Sequence, residues 1–416
     1  MRKPVRFSHL SPSETQSGFI KEEAAPKGSV KTLDIELFAG AGGLALGLSA
    51  AGMHPDHLYE LNKNCCETLL YNKRNGGLIK GDVHEIDVRL VDWKALRNPV
   101  RILSGGPPCQ PFSLAGKHRA DKDERNEFPS TLQAVRILKP EVVVLENVPG
   151  LARESFRPYL DYVVRQLEYP LICPAPGELW QDHDQRIQNH IANAGDCKEY
   201  NVKWKILNAA DFGMAQVRAR VFIVATSVAL SMFEFPPPSH SRAALISSQK
   251  EGSYWRERGL KIPDQRVFPR GSLWHRGDND EKLFPWRTVR DVISDLPDPG
   301  TVEAEDVLHR FIPGARLYDK HTGSDQDWPS KTIKAGVHGV AGGENIVRLD
   351  GGLYRYFTLR EMARLQGFPD SYMFMGPRSR IIGQIGNAVP CGLLEAMGKQ
   401  IAKILPSRLS EAIEPY

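Results

Sequence analysis

The stretch Lys31-Thr-Leu-Asp34-Ile-Glu-Leu-Phe38-Ala39-Gly40-Ala41-Gly42-Gly43 decides the predicted fold. Its first half is mostly apolar and predicts a strand, and the next residues, Leu44 to Ala51, have a helical pattern. A strand, a glycine-rich turn and a helix in succession open a Rossmann-like βαβ unit. Because glycine has no Cβ, the turn lets the backbone approach a ligand closely. The sequence therefore predicts an α/β fold with a ligand at the carboxyl edge of its sheet.

Two acidic residues follow where such a fold holds a nucleoside. Residues 57–60 predict the second strand, and Glu60 lies about 20 residues after Gly40, the spacing of a carboxylate that bonds ribose hydroxyls. Residues 62–73 predict a helix, and a short third strand over residues 78–80 leads into Gly81-Asp82-Val83. This pattern predicts a nucleoside-type cofactor. It leaves open whether the cofactor is a dinucleotide, which needs its pyrophosphate at the helix N-terminus, or a compound without phosphate.

A second stretch, Gly105-Gly106-Pro107-Pro108-Cys109-Gln110-Pro111-Phe112-Ser113, follows an apolar strand predicted over residues 100–103. Glycine and proline end the strand, and the rigid Pro-Pro pair fixes the direction of the Cys109 sulfur. A lone cysteine is ordinarily a small buried hydrophobe. Here its neighbours are Gly, Pro, Gln and Ser rather than Leu and Val, which favours a nucleophile at the edge of the sheet.

A carboxylate and two guanidinium groups are predicted to reach the same edge. Glu146 ends the apolar strand predicted over residues 141–145. Arg218 and Arg220 precede the strand predicted over residues 221–226, and their spacing of two projects them from one face. Such a pair would hold Glu146 or a phosphate. The alternatives are that Glu146 caps the next turn and that the arginines lie on a surface hairpin.

The other segments are less informative. Residues 116–126 are charged and predict either a solvated loop or a mobile lid. Residues 128–138 and 155–167 predict helices, 203–208 predict a strand, and 170–200 are predicted to be irregular. Within that irregular segment, His183 and His190 lack the spacing of metal ligands. Near the C-terminus, Thr358 is a predicted N-cap, Gly367 ends that helix, and residues 391–404 predict a final helix.

From about Phe235 the α/β rhythm stops, and Pro, Gly, Arg, Trp and His become frequent until about Ile346. This composition predicts a second, smaller domain of irregular structure. Its mixture of cations and aromatics suits a nucleic acid surface and equally a protein contact. The mixture consists of Tyr254, Trp255, Arg256, Arg258, Arg266, Arg270, Trp274, His275 and Arg276.

Composition sets the outer bounds. The chain has 416 residues, of which 41% are apolar and 25% charged, and a formal net charge of +4. These values fit a globular protein with room for two domains, and any basic surface must be local. No apolar run reaches the length of a membrane span. The six cysteines form no Cys-x-x-Cys pair, so a structural zinc site is not expected, and a reduced, cytosolic protein fits best.

Eight blocks of the sequence resemble one known family in their order. They are the glycine turn, Glu60, Gly81-Asp82-Val83, the Pro-Cys loop, Glu146-Asn147-Val148, Gln216-x-Arg218-x-Arg220, Arg364-Leu-Gln-Gly-Phe-Pro369 and Gly386-Asn387-Ala-Val-Pro390. With them the chain resembles bacterial DNA (cytosine-5) methyltransferases of the restriction-modification type, from Thr32 to Ile404. The resemblance implies a Rossmann-like S-adenosylmethionine-dependent methyltransferase domain and a smaller, irregular target-recognition domain.

The resemblance also implies site residues. Cys109 would be the nucleophile that bonds cytosine C6, Glu146 its partner at the base, and Arg218 and Arg220 the support of the flipped nucleotide. The residues implied for the cofactor are Phe38, Ala39, Gly40, Gly42, Gly43, Leu44, Glu60, Asp82, Val83, Pro108, Phe128, Asn387 and Val389. The residues implied for DNA contact are Gln110, Ser113, Arg218, Arg220, Arg256, Arg258 and Arg270.

The implied organisation has four segments: an N-terminal arm at residues 1–30, a catalytic cofactor-binding domain at 31–234, a target-recognition domain at 235–346, and a C-terminal segment at 347–416 that returns to the catalytic domain. The implied partner is double-stranded DNA, bound by a monomer, without a metal or a membrane. The expected setting is the bacterial cytoplasm and nucleoid, with a cognate restriction endonuclease.

Three other functions remain open from the residues. A dinucleotide-dependent oxidoreductase would share the fold, but the glycine spacing and the Pro-Pro-Cys loop count against it. An RNA cytosine methyltransferase could use the same loop, although residues 235–346 favour a reader of double-stranded DNA. A catalytically inactive DNA-binding regulator is opposed by the intact Cys109, Glu146 and glycine turn.

Overall fold

The computed structural model describes residues 31–108, 126–195, 197–264, 281–301, 308–316, 323–336 and 345–405. Its largest sheet has seven strands in the order β3-β2-β1-β4-β5-β7-β6. The strands are β1 (Leu33–Leu37), β2 (His57–Glu60), β3 (Asp82–Glu85), β4 (Val100–Gly105), β5 (Val142–Asn147), β6 (Tyr200–Asn208) and β7 (Ala219–Ser227). The first five are parallel, and β7 runs antiparallel to β5 and β6. The predicted α/β fold is confirmed.

One predicted strand was wrong. The third strand is β3, at Asp82–Glu85, and not residues 78–80. Ile79 is instead buried in a hydrophobic cluster that includes Leu69, and Leu78 packs against the same cluster. The strand itself is polar because it lies at the edge of the sheet, where one side faces solvent.

Helices cover both faces of the sheet. They are α1 (Gly43–Ala50), α2 (Lys63–Arg74), α3 (Phe128–Leu138), α4 (Arg157–Glu168) and α5 (Trp180–Ala194). On one face Leu132 and Leu160 pack with Val143 of β5. On the other, Leu44 packs with Val144 of the same strand. The alternation along β5 explains its continuous apolar sequence, because both sides are buried.

The helix α5 corrects the prediction that residues 170–200 are irregular. Its sequence is mostly polar, and its apolar stripe is reduced to Trp180, Ile187 and Ile191, which pack with the hydrophobic core. Polar contacts to α4 add to this packing. The buried His183 ring lies 2.8 Å from the Tyr162 hydroxyl, and Arg165 pairs with Asp184 at 2.6 Å.

Short elements follow β7. They are β8 (His240–Ser241), α6 (Arg242–Glu251), α7 (Ser253–Glu257), β9 (Phe284–Pro285), α8 (Arg290–Ile293), β10 (Ser324–Asp325), β11 (Ile346–Arg348) and β12 (Tyr354–Tyr356). The predicted domain boundary after residue 346 lies within β11, which pairs with β10 and β12.

Two of the aromatic residues predicted for a nucleic acid surface, Tyr254 and Trp255, are buried in a core with Trp286 and Trp328. Arg266, Trp274, His275 and Arg276, predicted for the same surface, lie outside the described residues. The Arg258 guanidinium lies 3.9 Å from the centroid of the Tyr254 ring and pairs with Asp291. Arg258 therefore stabilises this region internally, while Arg256 is exposed.

The chain then returns to the sheet through α9 (Leu359–Leu365), α10 (Arg378–Asn387) and α11 (Cys391–Ile401). The predicted N-cap is confirmed: Thr358 and Glu361 form a reciprocal capping box. Glycine lets α11 pack tightly on α1, because a Cβ on Gly47 would lie 2.3 Å from the Leu394 Cβ. Within the part of the chain that the structure describes, no helix has the length and apolarity needed to cross a membrane.

Candidate active site

A pocket of about 1250 Å³ opens at the carboxyl edge of the sheet. It is wide enough for more than one small ligand, since typical ligand pockets span roughly 300–1,000 Å³. Its wall combines the ends of five parallel strands with the returning C-terminal segment. Its lining residues include Glu36, Phe38, Gly40, Gly43, Glu60, Asp87, Val88, Pro107, Pro108, Glu146, Asn147, Asn387 and Val389.

The glycine turn after β1 forms the floor of one half of the pocket. Gly40 and Gly42 have φ values of 55° and 81°, which L side chains rarely adopt. A Cβ on Gly43 would lie only 2.6 Å from the Val389 carbonyl oxygen. The absent side chain at Gly43 is therefore what lets the C-terminal segment close the pocket wall.

Glu60 faces this turn from the end of β2. Its Oε2 accepts a hydrogen bond from the Gly40 amide at 2.8 Å, and its Oε1 accepts one from the Asn62 amide at 2.7 Å. These two bonds fix the orientation of the carboxylate. Each oxygen keeps a lone pair for a hydroxyl donor in the pocket.

Asp82 lies at the start of β3, and Asp87 follows its carboxyl end. Asp82 pairs with His57 at the start of the parallel strands, which is the edge opposite the pocket. Its carboxylate is 68% exposed and contacts Lys73 Nζ at 2.7 Å. Asp87 and Val88 line the pocket instead. Within residues 82–88 the Asp-Val dipeptide occurs twice, five residues apart, and only the strand register decides which copy reaches the carboxyl edge.

The other residues predicted for the cofactor divide into two groups. Those that line the pocket are Phe38, Ala39, Gly40, Gly43, Leu44, Glu60, Pro108, Asn387 and Val389. Gly42, Val83 and Phe128 do not. Gly42 shapes the turn against Leu69, Val83 packs against the hydrophobic core, and Phe128 is fully buried beside Tyr159.

Sequence reasoning missed Glu36, the carboxylate under the glycine turn. It is 1% exposed and lines the pocket, and its Oε2 has no hydrogen-bond partner among the residues that the structure describes. Burial raises the pKa of Glu36 to about 8; the Ala45 amide opposes this shift and the Glu60 charge adds to it. The available signal was the pair of acidic residues, Asp34 and Glu36, inside the buried strand β1.

Glu146 lines the other half of the pocket and pairs with Arg220. Glu146, in β5, is 8% exposed, and its Oε1 lies 2.8 Å from Arg220 Nε at the start of β7. Burial raises the pKa of Glu146, while the charges of Arg220 and then Arg218 oppose the shift. The result is a buried carboxyl group, held by one guanidinium, whose proton is retained more readily than in water.

Asn147 holds the loop that leads to the predicted nucleophile. Its Nδ2 donates to the Pro107 carbonyl at 3.0 Å, and the Glu127 amide donates to the Pro108 carbonyl at 3.1 Å. The chain is thus fixed in place up to Pro108, beside Glu146. The predicted residues Cys109, Gln110, Ser113 and Arg270 lie outside the described residues, as do the arm at 1–30 and most of the loop at 116–126.

The Arg218 side chain has no exposed surface. Its guanidinium donates to the Ile333 carbonyl at 3.0 Å and to the Gly386 and Ala388 carbonyls at 2.7 and 2.9 Å. In this structure Arg218 therefore binds protein backbone, and the support of a nucleotide by Arg218 stays a prediction. Among the described residues, no three His, Cys, Asp or Glu side chains are grouped to hold a metal ion.

Comparison with known proteins assigns the family. The chain is 28% identical over 382 residues to the type II methyltransferase M.NgoMIV of Neisseria gonorrhoeae, covering 89% of this chain and 97% of the relative. It is 36% identical over 269 residues to the type II methyltransferase M.AquIA of Picosynechococcus sp., covering 63% of this chain and 88% of the relative. The S. pombe Dnmt2 methyltransferase has the same fold, with a TM-score of 0.53 at 17% identity, over 89% of this chain and 98% of that one. A family model for the C-5 cytosine-specific DNA methylases matches residues 33–169 and 177–403, and the chain belongs to that family.

Proposed function

We propose that Cys109 and Glu146 carry the cytosine-5 methylation of DNA, with S-adenosylmethionine as the methyl donor. The observation that supports this assignment is the meeting of three features at one edge of the sheet. They are the glycine turn with Glu60, the buried Glu146–Arg220 pair, and the loop end at Pro107-Pro108.

The cofactor half of the pocket fits a nucleoside joined to an amino acid. Glu60 offers oriented oxygens to ribose hydroxyls, and Asp87 with Val88 lies at the next strand end, where an adenine edge would sit. The space at Gly40, where a Cβ would meet no atom within 4 Å, leaves room for the amino acid in the pocket that Asn387 and Val389 also line. Bound S-adenosylmethionine supplies an electrophilic methyl group.

C5 of cytosine is a poor nucleophile, and the groups of the base half activate it. The Cys109 thiolate adds to C6 while the protonated Glu146 donates to N3, so that electron density moves onto C5. After C5 has been methylated, a base removes the C5 proton, the C5–C6 double bond re-forms and the thiolate leaves. The raised pKa of Glu146 suits this donor role, because the carboxyl must carry a proton near neutral pH.

The target base must leave the duplex to reach this pocket. A cytosine edge inside a DNA helix is not accessible to a thiolate, so the nucleotide is flipped out of the stack. Residues 235–346 serve as the reader of the flanking sequence in this proposal. The exposed Arg256 remains available for DNA contact there, whereas Arg258 is engaged with Asp291.

The biological setting follows from the relatives. M.NgoMIV and M.AquIA are named type II methyltransferases. We infer that this chain protects DNA as the modification enzyme of a restriction-modification system, acting as a monomer in the bacterial cytoplasm beside a cognate endonuclease.

Labelled methyl transfer tests the proposal. The purified chain is incubated with S-adenosylmethionine carrying a tritiated methyl group and, separately, duplex DNA or tRNA. We expect label in 5-methylcytosine of duplex DNA, activity that persists in EDTA, and a stable protein adduct on a duplex containing 5-fluorocytosine at the target. Label in tRNA alone would favour the RNA methyltransferase, and no label in either would favour a DNA-binding regulator.

Cysteine variants test the nucleophile in the same assay. Cys109→Ser should lower turnover by several orders of magnitude while DNA binding survives. The control is Cys173→Ser, because Cys173 is exposed and far from the pocket wall. Appreciable turnover by Cys109→Ser would rule out the assignment.

A further inference from the structure

Two arginines flank Ala219, the first residue of β7, and their side chains bind different groups. Arg220 pairs with Glu146 on the base side. Arg218, two residues earlier, reaches away from Glu146 and donates to Gly386 and Ala388 on the cofactor side. These two carbonyls flank Asn387, which lines the pocket. One short piece of backbone therefore connects the base carboxyl to the cofactor wall.

The turn that Arg218 holds is tightly defined. Gln366 Nε2 donates to the Ile385 carbonyl at 2.6 Å, and Gln216 Nε2 donates to Gln366 Oε1 at 3.0 Å. A Cβ on Gly386 would lie 2.4 Å from the Ala335 amide nitrogen. A displacement of Arg218 would move Asn387 and its neighbours as well, because the turn is bonded to Arg218 and Gln366 and packs against Ala335.

The chemistry of these contacts requires arginine. The three acceptors lie on two segments of the chain, one at Ile333 and one at residues 386–388. A planar guanidinium presents donors in fixed, diverging directions, while an ammonium group is a single compact point. Lysine at this position would keep the charge and reach only part of the set.

We propose that Arg218 is a positioning residue that couples occupancy of the cofactor wall to occupancy of the base site, through Arg220 and Glu146. This inference rests on the proposed function of the two halves of the pocket. A flipped base that engages Glu146 shifts Arg220, the shared backbone shifts Arg218, and the turn around Asn387 closes on the cofactor. Because such coupling is reciprocal, each ligand tightens the binding of the other by the same factor.

The test measures that factor. The methylated site is first mapped by bisulfite sequencing of DNA from a host that expresses the protein. The affinity of the protein for S-adenosylhomocysteine is then measured by calorimetry, with and without a duplex that carries this site. The wild type should bind more tightly when the duplex is present. In Arg218→Lys the factor by which the duplex tightens binding should be roughly tenfold smaller, within the usual range of coupling between sites.

Arg101→Lys is the matched control. Arg101 is likewise a buried arginine of the central sheet, paired with Asp34 at the edge opposite the pocket. It should lose thermal stability and keep the full enhancement. An unchanged enhancement in Arg218→Lys, an equal loss in Arg101→Lys, or no enhancement in the wild type would overturn the proposal.

Two further readouts separate the outcomes. If Arg218→Lys does not fold, Arg220→Lys tests the other arm, and it too should lose the enhancement; its retention would overturn the coupling. Failure of the wild type to bind S-adenosylhomocysteine or to methylate DNA would defeat the proposed function itself. Normal binding and methylation with an unchanged factor in the variants would defeat only the role of Arg218.

Discussion

The two halves of the pocket are built on different principles. In the cofactor half, backbone shape dominates: Gly40 and Gly42 have left-handed conformations and Gly43 lies against the Val389 carbonyl. In the base half, side-chain charge dominates, with Glu146 buried against Arg220. This difference predicts which kind of substitution should damage each half. Steric changes should damage cofactor binding, and charge changes should damage the chemical step.

The largest expected effect comes from the base half. Glu146→Gln removes the proton donor and should lower kcat by about 10²- to 10⁴-fold, the usual contribution of general acid catalysis. Cofactor affinity should change little, because the other half is untouched. Single-turnover methyl transfer and calorimetry measure the two quantities. Glu141→Gln, at the opposite end of the same strand, is the control, and equal losses in both variants would contradict the assignment.

Glu36 gives the next effect, in the stability of the free protein. Because burial holds its pKa at about 8 instead of 4.5, its stabilising contribution is complete below pH 4.5 and is lost as the pH rises to about 8. Glu36→Gln should remove this dependence. The unfolding free energy of the wild type should therefore fall by about 2–4 kcal/mol more than that of the variant between pH 5 and pH 8.5. Parallel curves would show that Glu36 is ionised in the folded protein.

Gly43→Ala probes the steric principle directly. The new Cβ would meet the Val389 carbonyl at 2.6 Å, so the variant should lose about 1–3 kcal/mol of stability. It should also bind the cofactor more weakly, because the wall moves outward. Gly76→Ala is the control, since its Cβ has nothing closer than 3.7 Å. Denaturant unfolding and calorimetry check both expectations, which fail if the two alanine variants behave alike.

The smallest expected effect decides between two aspartates. Asp87→Ala should weaken S-adenosylmethionine binding by about 0.5–1.5 kcal/mol, the net worth of one hydrogen bond. Asp82→Ala should leave affinity unchanged, because that residue lies at the far end of β3. The reverse ranking in calorimetry would restore the sequence-based choice.

Sequence patterns predicted the elements whose conformation depends on residues that are neighbours in the chain. The strand β5 was predictable because a continuous apolar run ends in polar residues, and the turn after β1 because only glycine suits it. The polar helix α5 was missed, since its stabilising contacts come from α4. Spacing predicted that Arg218 and Arg220 project from one face, but it could not reveal the carbonyls at 333, 386 and 388 that surround Arg218. Contacts between residues more than a hundred positions apart leave no mark on a local pattern.

The contact between Gly43 and Val389 has a consequence for the newly made chain. These residues close one wall although they lie at opposite ends of the matched region. At the usual rate of synthesis, roughly 5–20 residues per second, the second half of the wall emerges roughly 20–70 seconds after the first. Until then α1 has no α11 to cover it, and the nascent polypeptide exposes apolar surface on the ribosome. The enzyme thus acquires its cofactor pocket in one late step, and a ribosome-stalled fragment ending before Val389 should be a client of chaperones rather than a partially active methyltransferase.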